Sequence, residues 1–524
     1  MRYVSLPGSL RAATTYMKHP QAQSSSQRPH WLCVAYAFPP INRSGTHRTL
    51  GFVKHLDRLG WDATVLSAIA RGELWDESLL REVPASTRIL RTGWVDASER
   101  IKTLYRFRTP QKMRGANVIP CGTDFPVGQK TPEHPRGLKP AARKKRGFRE
   151  WISRLLITPD SRIGWIGPAV RAGLNAIRCR RPDVIYSTSP YMSAHLIALL
   201  LSRHVRLPWI ADFRDPWRGN PFRGLGFSSL ERWDAFLEWI VLRSATHIVC
   251  CTPTMTAQLR RRRPFTESKM TTILNAFDRE RFDDIQPMRI APVDHFVLTH
   301  AGQFYGPRSP KVWFAALRRV MDRMPELAGK IHLVLIGSHK FEGRSLFDWA
   351  ADVGVSDHIR LLGRKTHAET LSCLAGSDAL MLAGSSGHGG ELQIPNKLFE
   401  YLAVRRPIIA TCLVASPIVS ILDSARAEAL VCDPTDEQAL AEAITRLVIH
   451  RRVDVADTWS GVDQFERAYR AAELAEVFQR VSRRGSLQEG RILKSASMLA
   501  RITAPDERAP SGTGFVTPED VIDL

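Results

Sequence analysis

Gly384-Ser-Ser-Gly-His-Gly-Gly-Glu391-Leu-Gln-Ile-Pro395-Asn-Lys397-Leu-Phe-Glu400-Tyr-Leu-Ala-Val-Arg-Arg-Pro407-Ile-Ile-Ala410 reads as a loop, a helix and a strand. Four glycines between Gly384 and Gly390 let the backbone turn sharply and approach a ligand closely. Pro395 suits the first turn of a helix. Ile394, Leu398, Phe399 and Leu402 recur at helical spacing and mark its buried side. A glycine loop feeding a helix N-terminus is an expected anion site, because unpaired N–H groups and the helix dipole face the loop. Lys397 adds a point charge in the first turn, and Glu400 shares its face. A cation for phosphate beside a carboxylate that accepts from sugar hydroxyls suits a nucleotide. The same residues also suit a plain helix start with an i,i+3 ion pair.

Outward from this block, strands alternate with helices in both directions, which implies parallel sheets. Trp31 to Ala37 reads as a buried strand, Phe38 to Arg48 as a loop, Thr49 to Leu59 as a helix and Asp62 to Ser67 as the next strand. This β-α-β opening lacks G-x-G-x-x-G, so it is not a dinucleotide fingerprint. Further strands are expected at Asp183–Pro190, Pro208–Trp217, Thr246–Cys251 and Thr271–Asn275, and, beyond residue 290, at Phe296–Gly302, His332–Gly337, Ile359–Gly363 and Ala379–Ala383. Ligands in such sheets bind at the C-terminal ends of strands. Asp212, Arg214 and Asp215 lie at one such end, where they equally suit a salt-bridged corner. His367-Ala-Glu369 imitates the H-x-E of zinc deaminases, but no P-C-x-x-C follows, so that chemistry is set aside.

The 524 residues have room for two or three domains, and 44% apolar with 24% charged residues is the composition of a globular protein. Eight cysteines without zinc or C-x-x-C spacing read as reduced thiols, which points to the cytoplasm. No apolar run approaches the ~20 residues of a membrane span. The net charge of +22 calls for an anionic partner: nucleic acid, anionic lipid or a phosphorylated substrate. No RNP motif, zinc finger or helix-turn-helix pattern is present, which makes nucleic acid the weakest of the three. Part of the charge sits in a Pro/Gly/Lys/Arg-rich insertion at 108–148, running into Trp151-Ile-Ser-Arg-Leu155. That junction suits either a solvated basic loop or peripheral contact with the inner face of an anionic membrane.

The opening block resembles the C-terminal half of retaining GT-B glycosyltransferases of the group 1, or family 4, type. There a loop with an acidic residue leads into a helix carrying a second glutamate, before a strand like Pro407-Ile-Ile-Ala410. Other blocks resemble that family in the same order: P-P…G-T-x-R…F-V-K-x-L…G-W from Pro39, P-D-V-I-Y-S-T-S-P from Pro182, P-W-I-A-D-F-R-D-P-W from Pro208, and the turn Asn275-Ala-Phe-Asp278. The resemblance implies an α/β GT-B fold of two Rossmann-like parallel-sheet domains facing across a cleft. A disordered leader (1–29) would precede an N-terminal acceptor domain (30–290) and a C-terminal donor domain (291–450). A helix within 451–482 would return to the first domain, before a disordered tail (483–524).

It also implies roles. Arg308 and Lys397 supply cations to the diphosphate of a nucleoside-diphosphate sugar, and Glu400 holds its ribose. Gly45, Gly302, Gly337, Gly389 and Gly390 let backbone approach the donor, and Arg364, with Lys365, cups the base. Arg48, His195, Asp212, Arg214 and Asp215 are the acceptor-side candidates. The family's first glutamate lies eight residues before its second. That position here is Leu392, and the carboxylate is one place away at Glu391, taken as the third catalytic candidate. The implied reaction is retaining, metal-independent hexosyl transfer from a nucleotide sugar to a glycan, lipid-linked or small-molecule acceptor, as in polysaccharide biosynthesis, with no cofactor. A GT-B nucleotide-sugar epimerase and an inactive, glycosyltransferase-like binding subunit are the alternatives.

Overall fold

The structure is a computed structural model and describes residues 28–69, 75–94, 147–220, 227–327, 329–337, 339–384, 392–451 and 459–483. The leader up to residue 27, nearly all of the basic insertion, the loop 385–391 with Gly389, Gly390 and Glu391, and the tail from 484 lie outside the described residues.

Seven parallel strands form the first sheet: β1 (His30–Ala35), β2 (Asp62–Ala68), β3 (Arg88–Thr92), β4 (Val184–Thr188), β5 (Trp209–Phe213), β6 (His247–Cys250) and β7 (Met270–Thr272), in the order β3-β2-β1-β4-β5-β6-β7. β1, β4, β5 and β6 are buried along their whole length, because helices cover both faces. A second sheet holds six parallel strands, β8 (Phe296–Gly302), β9 (Ile331–Gly337), β12 (Ile359–Gly363), β13 (Ala379–Ala383), β14 (Ile408–Thr411) and β15 (Ala429–Cys432), in the order β12-β9-β8-β13-β14-β15. A short hairpin, β10 (Lys340–Phe341) with β11 (Arg344–Ser345), lies outside it. Strand order reverses between β1 and β4 in the first sheet and between β8 and β13 in the second. At such switch points the loops leave a crevice beyond the strand C-termini. Gly302 ends β8, and the glycine-rich loop leaves β13 there.

The last helix, 467–483, returns to the first domain. Phe478 packs on Trp31 and Trp61 at ring separations of 5.3 and 5.2 Å, and Leu474, Val477 and Val481 join the same core.

The first helix departs from expectation. It spans Ser44–Arg58 and so takes in Gly45 to Arg48, read from sequence as loop. Thr46 Oγ1 donates to Ile41 O (2.6 Å) and ties down its first turn, while Arg48 is drawn inward by a partner far away in sequence. Arg48 and Asp212 are almost wholly buried, at 1% and 0% side-chain exposure, and their bidentate pair spans 2.9 and 3.2 Å. The guanidinium also donates to Leu274 O, Asn275 Oδ1 and Ile273 O, and Asp212 accepts from the Tyr186 and Thr188 hydroxyls, each at 2.7 Å. Every guanidinium N–H is used. Burial pushes the Asp212 carboxyl up, but Arg48 and the two hydroxyls outweigh it and hold it below its usual range. The pair thus clamps the first helix to the ends of β5 and β7. This corrects the acceptor-side reading of Arg48 and Asp212, since neither reaches a cleft.

His195 is corrected for the same reason. It is fully buried in the helix Ser193–Val205, its Nδ1 is 2.8 Å from Ser187 Oγ, and its ring lies on Phe213. Burial lowers its pKa to about 3, so it is a neutral core residue.

Removing one partner of the Arg48–Asp212 pair strands a buried charge. Arg48→Ala or Asp212→Ala should therefore cost about 3–5 kcal/mol of stability, and Arg48→Met with Asp212→Leu should recover much of it. Urea unfolding of the four proteins checks this; equal losses in the single and double variants would contradict it.

Candidate functional site

The site forms where the opening stretch of sequence meets β8. The helix Lys397–Val404 starts two residues after Pro395, with Leu398, Phe399 and Leu402 fully buried beneath it. Its first turn is tight: Leu398 N donates to Pro395 O (3.1 Å) and Phe399 N to Asn396 O (3.2 Å). Those two N–H groups are spent within the turn, and the loop expected to bring an anion to this helix start lies outside the described residues. Positive charge is supplied here by side chains.

Lys397 Nζ donates to His300 Nε2 across 3.1 Å. His300 is 1% exposed and its Nδ1–H is given to Met381 O (3.0 Å), which fixes the tautomer and leaves Nε2 a lone pair for the lysine. Its ring stacks on Phe304 at 4.3 Å. The lysine crosses directly over Gly302, whose φ is +125°; a Cβ there would sit 2.7 Å from Nζ. Gly337, with the same φ, lets Gly302 O approach in turn, since a Cβ at 337 would lie 2.5 Å from it. Arg308 lies on the same loop side, its Nη1 2.5 Å from Tyr305 OH and its Nε buried without an acceptor. Among the described residues neither cation makes an ion pair with a carboxylate. Burial, and then the charge of Arg308, lower Lys397 to about 7 against the opposing pull of Glu400.

One turn further on, Glu400 lines a small pocket between the domains, with His47, Arg281 and His367. It pairs with His367 (2.9 Å) and not with Lys397, so the i,i+3 ion pair does not form. The His367 ring stacks at 5.7 Å on His47 of the first domain. His47 accepts from Arg281 at Nδ1 (3.0 Å) and donates to Asn42 Oδ1 (3.1 Å). Burial pushes Glu400 up, but the His367 hydrogen bond, with His47 and Arg281, outweighs it and keeps the carboxyl below its usual range. Arg467, from the returning helix, completes the pocket.

The remaining candidates fall around these two groups. Gly45 sits in the first turn of its helix, and its missing Cβ makes room for the Arg214 guanidinium, 2.5 Å from where that atom would be. Asp215 is half-buried and reaches Gln393 of the second domain (3.4 Å). Thr252 Oγ1 donates to Leu392 O (3.1 Å) across the same seam. Arg364 is exposed just after Gly363. His47, His300, His367 and Arg281 were missed in the sequence. Only His367 carried a signal there, and its H-x-E partner Glu369 is explained by the capping box it makes with Thr366.

Two family models match the chain, the glycosyl transferase 4-like domain over residues 45–276 and glycosyl transferases group 1 over residues 296–450. The chain belongs to the group 1, family 4-type glycosyltransferases. Among solved structures, a glycosyltransferase from Rickettsia africae is 12% identical, aligned over 87% of this chain and 99% of its own, with a TM-score of 0.55. The N-terminal domain of the Candida albicans trehalose-6-phosphate phosphatase is 11% identical over 88% and 99%, with a TM-score of 0.56. Anabaena Alr3699/HepE, solved in complex with UDP, is 12% identical over 86% and 100%, with a TM-score of 0.50. No curated protein matches the sequence. At these identities the likeness is one of fold, and the two-sheet architecture of the transferase is GT-B.

A lysine poised near pH 7 makes anion binding pH-dependent. An incoming diphosphate favours the ammonium, so above pH 7 binding must take up a proton and affinity falls. A nucleotide sugar, whose diphosphate diester keeps its charge over this range, should lose up to about tenfold in affinity per unit between pH 7 and 9. Calorimetric titration checks this: Lys397→Met should bind weakly at every pH with a flat profile, and a flat profile in the wild type would contradict the assignment.

Proposed function

We propose that this transferase moves a hexosyl unit from a nucleoside-diphosphate sugar to a glycan or lipid-linked acceptor, with retention at the anomeric carbon and without a metal ion or other cofactor. The observation that carries this reading is the Lys397–Arg308 pair: two cations held close together at a switch point, one donating to a neutral histidine and the other with a buried, unanswered N–H. As the glycosidic bond breaks, the leaving diphosphate gathers negative charge. Cations already in place stabilise that charge without reorganising, and losing one such donor costs on the order of 10²–10³ in rate. Glu400 is assigned to the ribose hydroxyls, which would share or replace its contact with His367. Arg364 is assigned to the base and Glu391 to the transferred sugar. The leaving phosphate takes the acceptor hydroxyl's proton, so no protein nucleophile is required. The acceptor enters from the first domain, past Arg214 and Asp215. The seam between domains, closed by Thr252–Leu392 and His47–His367, is where donor and acceptor would be oriented together.

UDP-, GDP-, TDP- and ADP-sugars form the test panel, with UDP first because the Anabaena neighbour was solved with it. A donor at 100 times its Kd should stabilise the protein by about 2.7 kcal/mol. Arg308→Ala and Lys397→Ala should each abolish that thermal shift while the unliganded melting temperature holds. Glu400→Gln should weaken nucleotide binding, whereas Glu391→Gln should lower turnover with nucleotide affinity intact. Proton NMR of the product should show the donor's anomeric configuration. Inversion would overturn the mechanism, and wild-type affinity in both cation variants would overturn the site.

A further inference from the structure

The helix Ser228–Ser244 of the first domain buries Leu230, Val241 and Leu242, yet departs from the usual pattern on both faces. A helix packed on a sheet normally faces its apolar side inward and its charges outward. Here two carboxylates are inside. Asp234, 5% exposed, accepts from Trp217 Nε1 (2.9 Å), and Glu238, 1% exposed, accepts from Arg262 Nη2 (2.7 Å). Three large aromatics are outside: Trp233, Phe236 and Trp239, at 43%, 44% and 38% exposure. They stack in sequence along the helix, at 5.5 Å and 24° and then at 5.9 Å and 27°. The i,i+3 spacing makes one continuous ladder.

The charges on that outward face are of one sign. At 100° per residue, Arg232 and Arg243 both fall within the arc of the ladder, on the side between Phe236 and Trp239, and both are exposed. No Asp or Glu of this helix lies in that arc; Glu231, though exposed, lies well outside it. The neighbouring helix Phe148–Leu155 extends the surface. Trp151 gives its indole N–H to Ser229 Oγ (2.8 Å), so it is half-buried as a strut, and Leu156 beside it is half exposed. The membrane contact expected of the Trp151–Leu155 face thus shifts to the helix that face supports.

We propose that the Trp233–Phe236–Trp239 ladder, with Arg232 and Arg243, is a docking face for an anionic lipid bilayer. Indole and phenyl rings are at home at the headgroup boundary, and arginines reach lipid phosphates from beside them. No described helix is long and apolar enough to cross a membrane, so this would be contact in the interface plane. A glycan also stacks on aromatic ladders, but its hydroxyls need carboxylate or amide acceptors alongside, and the outward arc carries none. A net charge of +22 favours the anionic surface further. The inference goes beyond the proposed reaction and does not depend on it, because its readout is binding and not turnover.

The test is cosedimentation of the full chain with vesicles of phosphatidylglycerol and phosphatidylcholine, and with phosphatidylcholine alone, at low and high salt. Wild type should bind the anionic vesicles, and less so in salt. Trp233→Ser with Phe236→Ser and Trp239→Ser should lose at least about tenfold in partitioning. Arg232→Gln with Arg243→Gln should lose about fivefold per arginine. Both variants should keep the wild-type melting temperature and the wild-type thermal shift with nucleotide sugar, which separates failure of this face from failure of the donor site. Undiminished vesicle binding by the aromatic variant overturns the proposal. So does absence of wild-type binding at low salt, a dimer that the aromatic variant dissociates, or binding of a soluble glycan that the aromatic variant loses.

Discussion

Two cations close together, neither paired with a carboxylate among the described residues, are the constraint around which the second domain is arranged. Arg308 and Lys397 repel each other, and the fold holds them together by indirect means. Lys397 is pinned to His300, whose other nitrogen is committed to a strand carbonyl. The lysine can cross β8 only because position 302 has no side chain, and Gly302 can sit as it does only because position 337 has none either. Three positions on two strands, His300 and Gly302 on β8 and Gly337 on β9, are therefore tied to one ammonium group. Charge held in this way costs stability in the empty protein, and an anion that settles between the cations returns it. Unpaired charge held in this way is concentrated at functional sites more than at structural corners.

The first domain solves the opposite problem. Its buried Arg48–Asp212 pair is fully answered: Arg48 spends every N–H and Asp212 collects two hydroxyls as well as the guanidinium. A completed network of this kind fixes geometry. It locks the first helix against the end of β5, and with it the positions of His47 and Arg214 at the domain seam. The returning helix contributes Arg467, which lies so close to the first helix that Gly51 has no room for a Cβ. The contacts around Glu400 come from both domains and from this helix, so that pocket depends on how the two domains meet.

The sheets were legible in the sequence because parallel strands are buried on both faces, and Trp31 to Ala35 or Ala379 to Ala383 therefore appear as unbroken apolar runs between turn residues. The helix carrying Lys397 and Glu400 was legible because Leu398, Phe399 and Leu402 repeat at its period. What stayed hidden was pairing across long separations. Arg48 and Asp212 stand 164 residues apart, and nothing local marks either as buried. His300 reads as one residue of an apolar strand, and only Lys397, 97 residues on, gives it a task. His195 misled for the converse reason: the resemblance offers it as an acceptor-side group, whereas burial against Phe213 neutralises it. In the helix Ser228–Ser244, which face turns outward is decided by Trp217 and Arg262, which take up Asp234 and Glu238 from elsewhere in the chain.

The most direct test of the central claim is a crystal structure of the protein with a bound nucleoside-diphosphate sugar. The account predicts diphosphate oxygens within hydrogen-bonding distance of both Lys397 Nζ and the Arg308 guanidinium, with Lys397 still against His300. A diphosphate bound elsewhere, with both cations left to solvent, would contradict it.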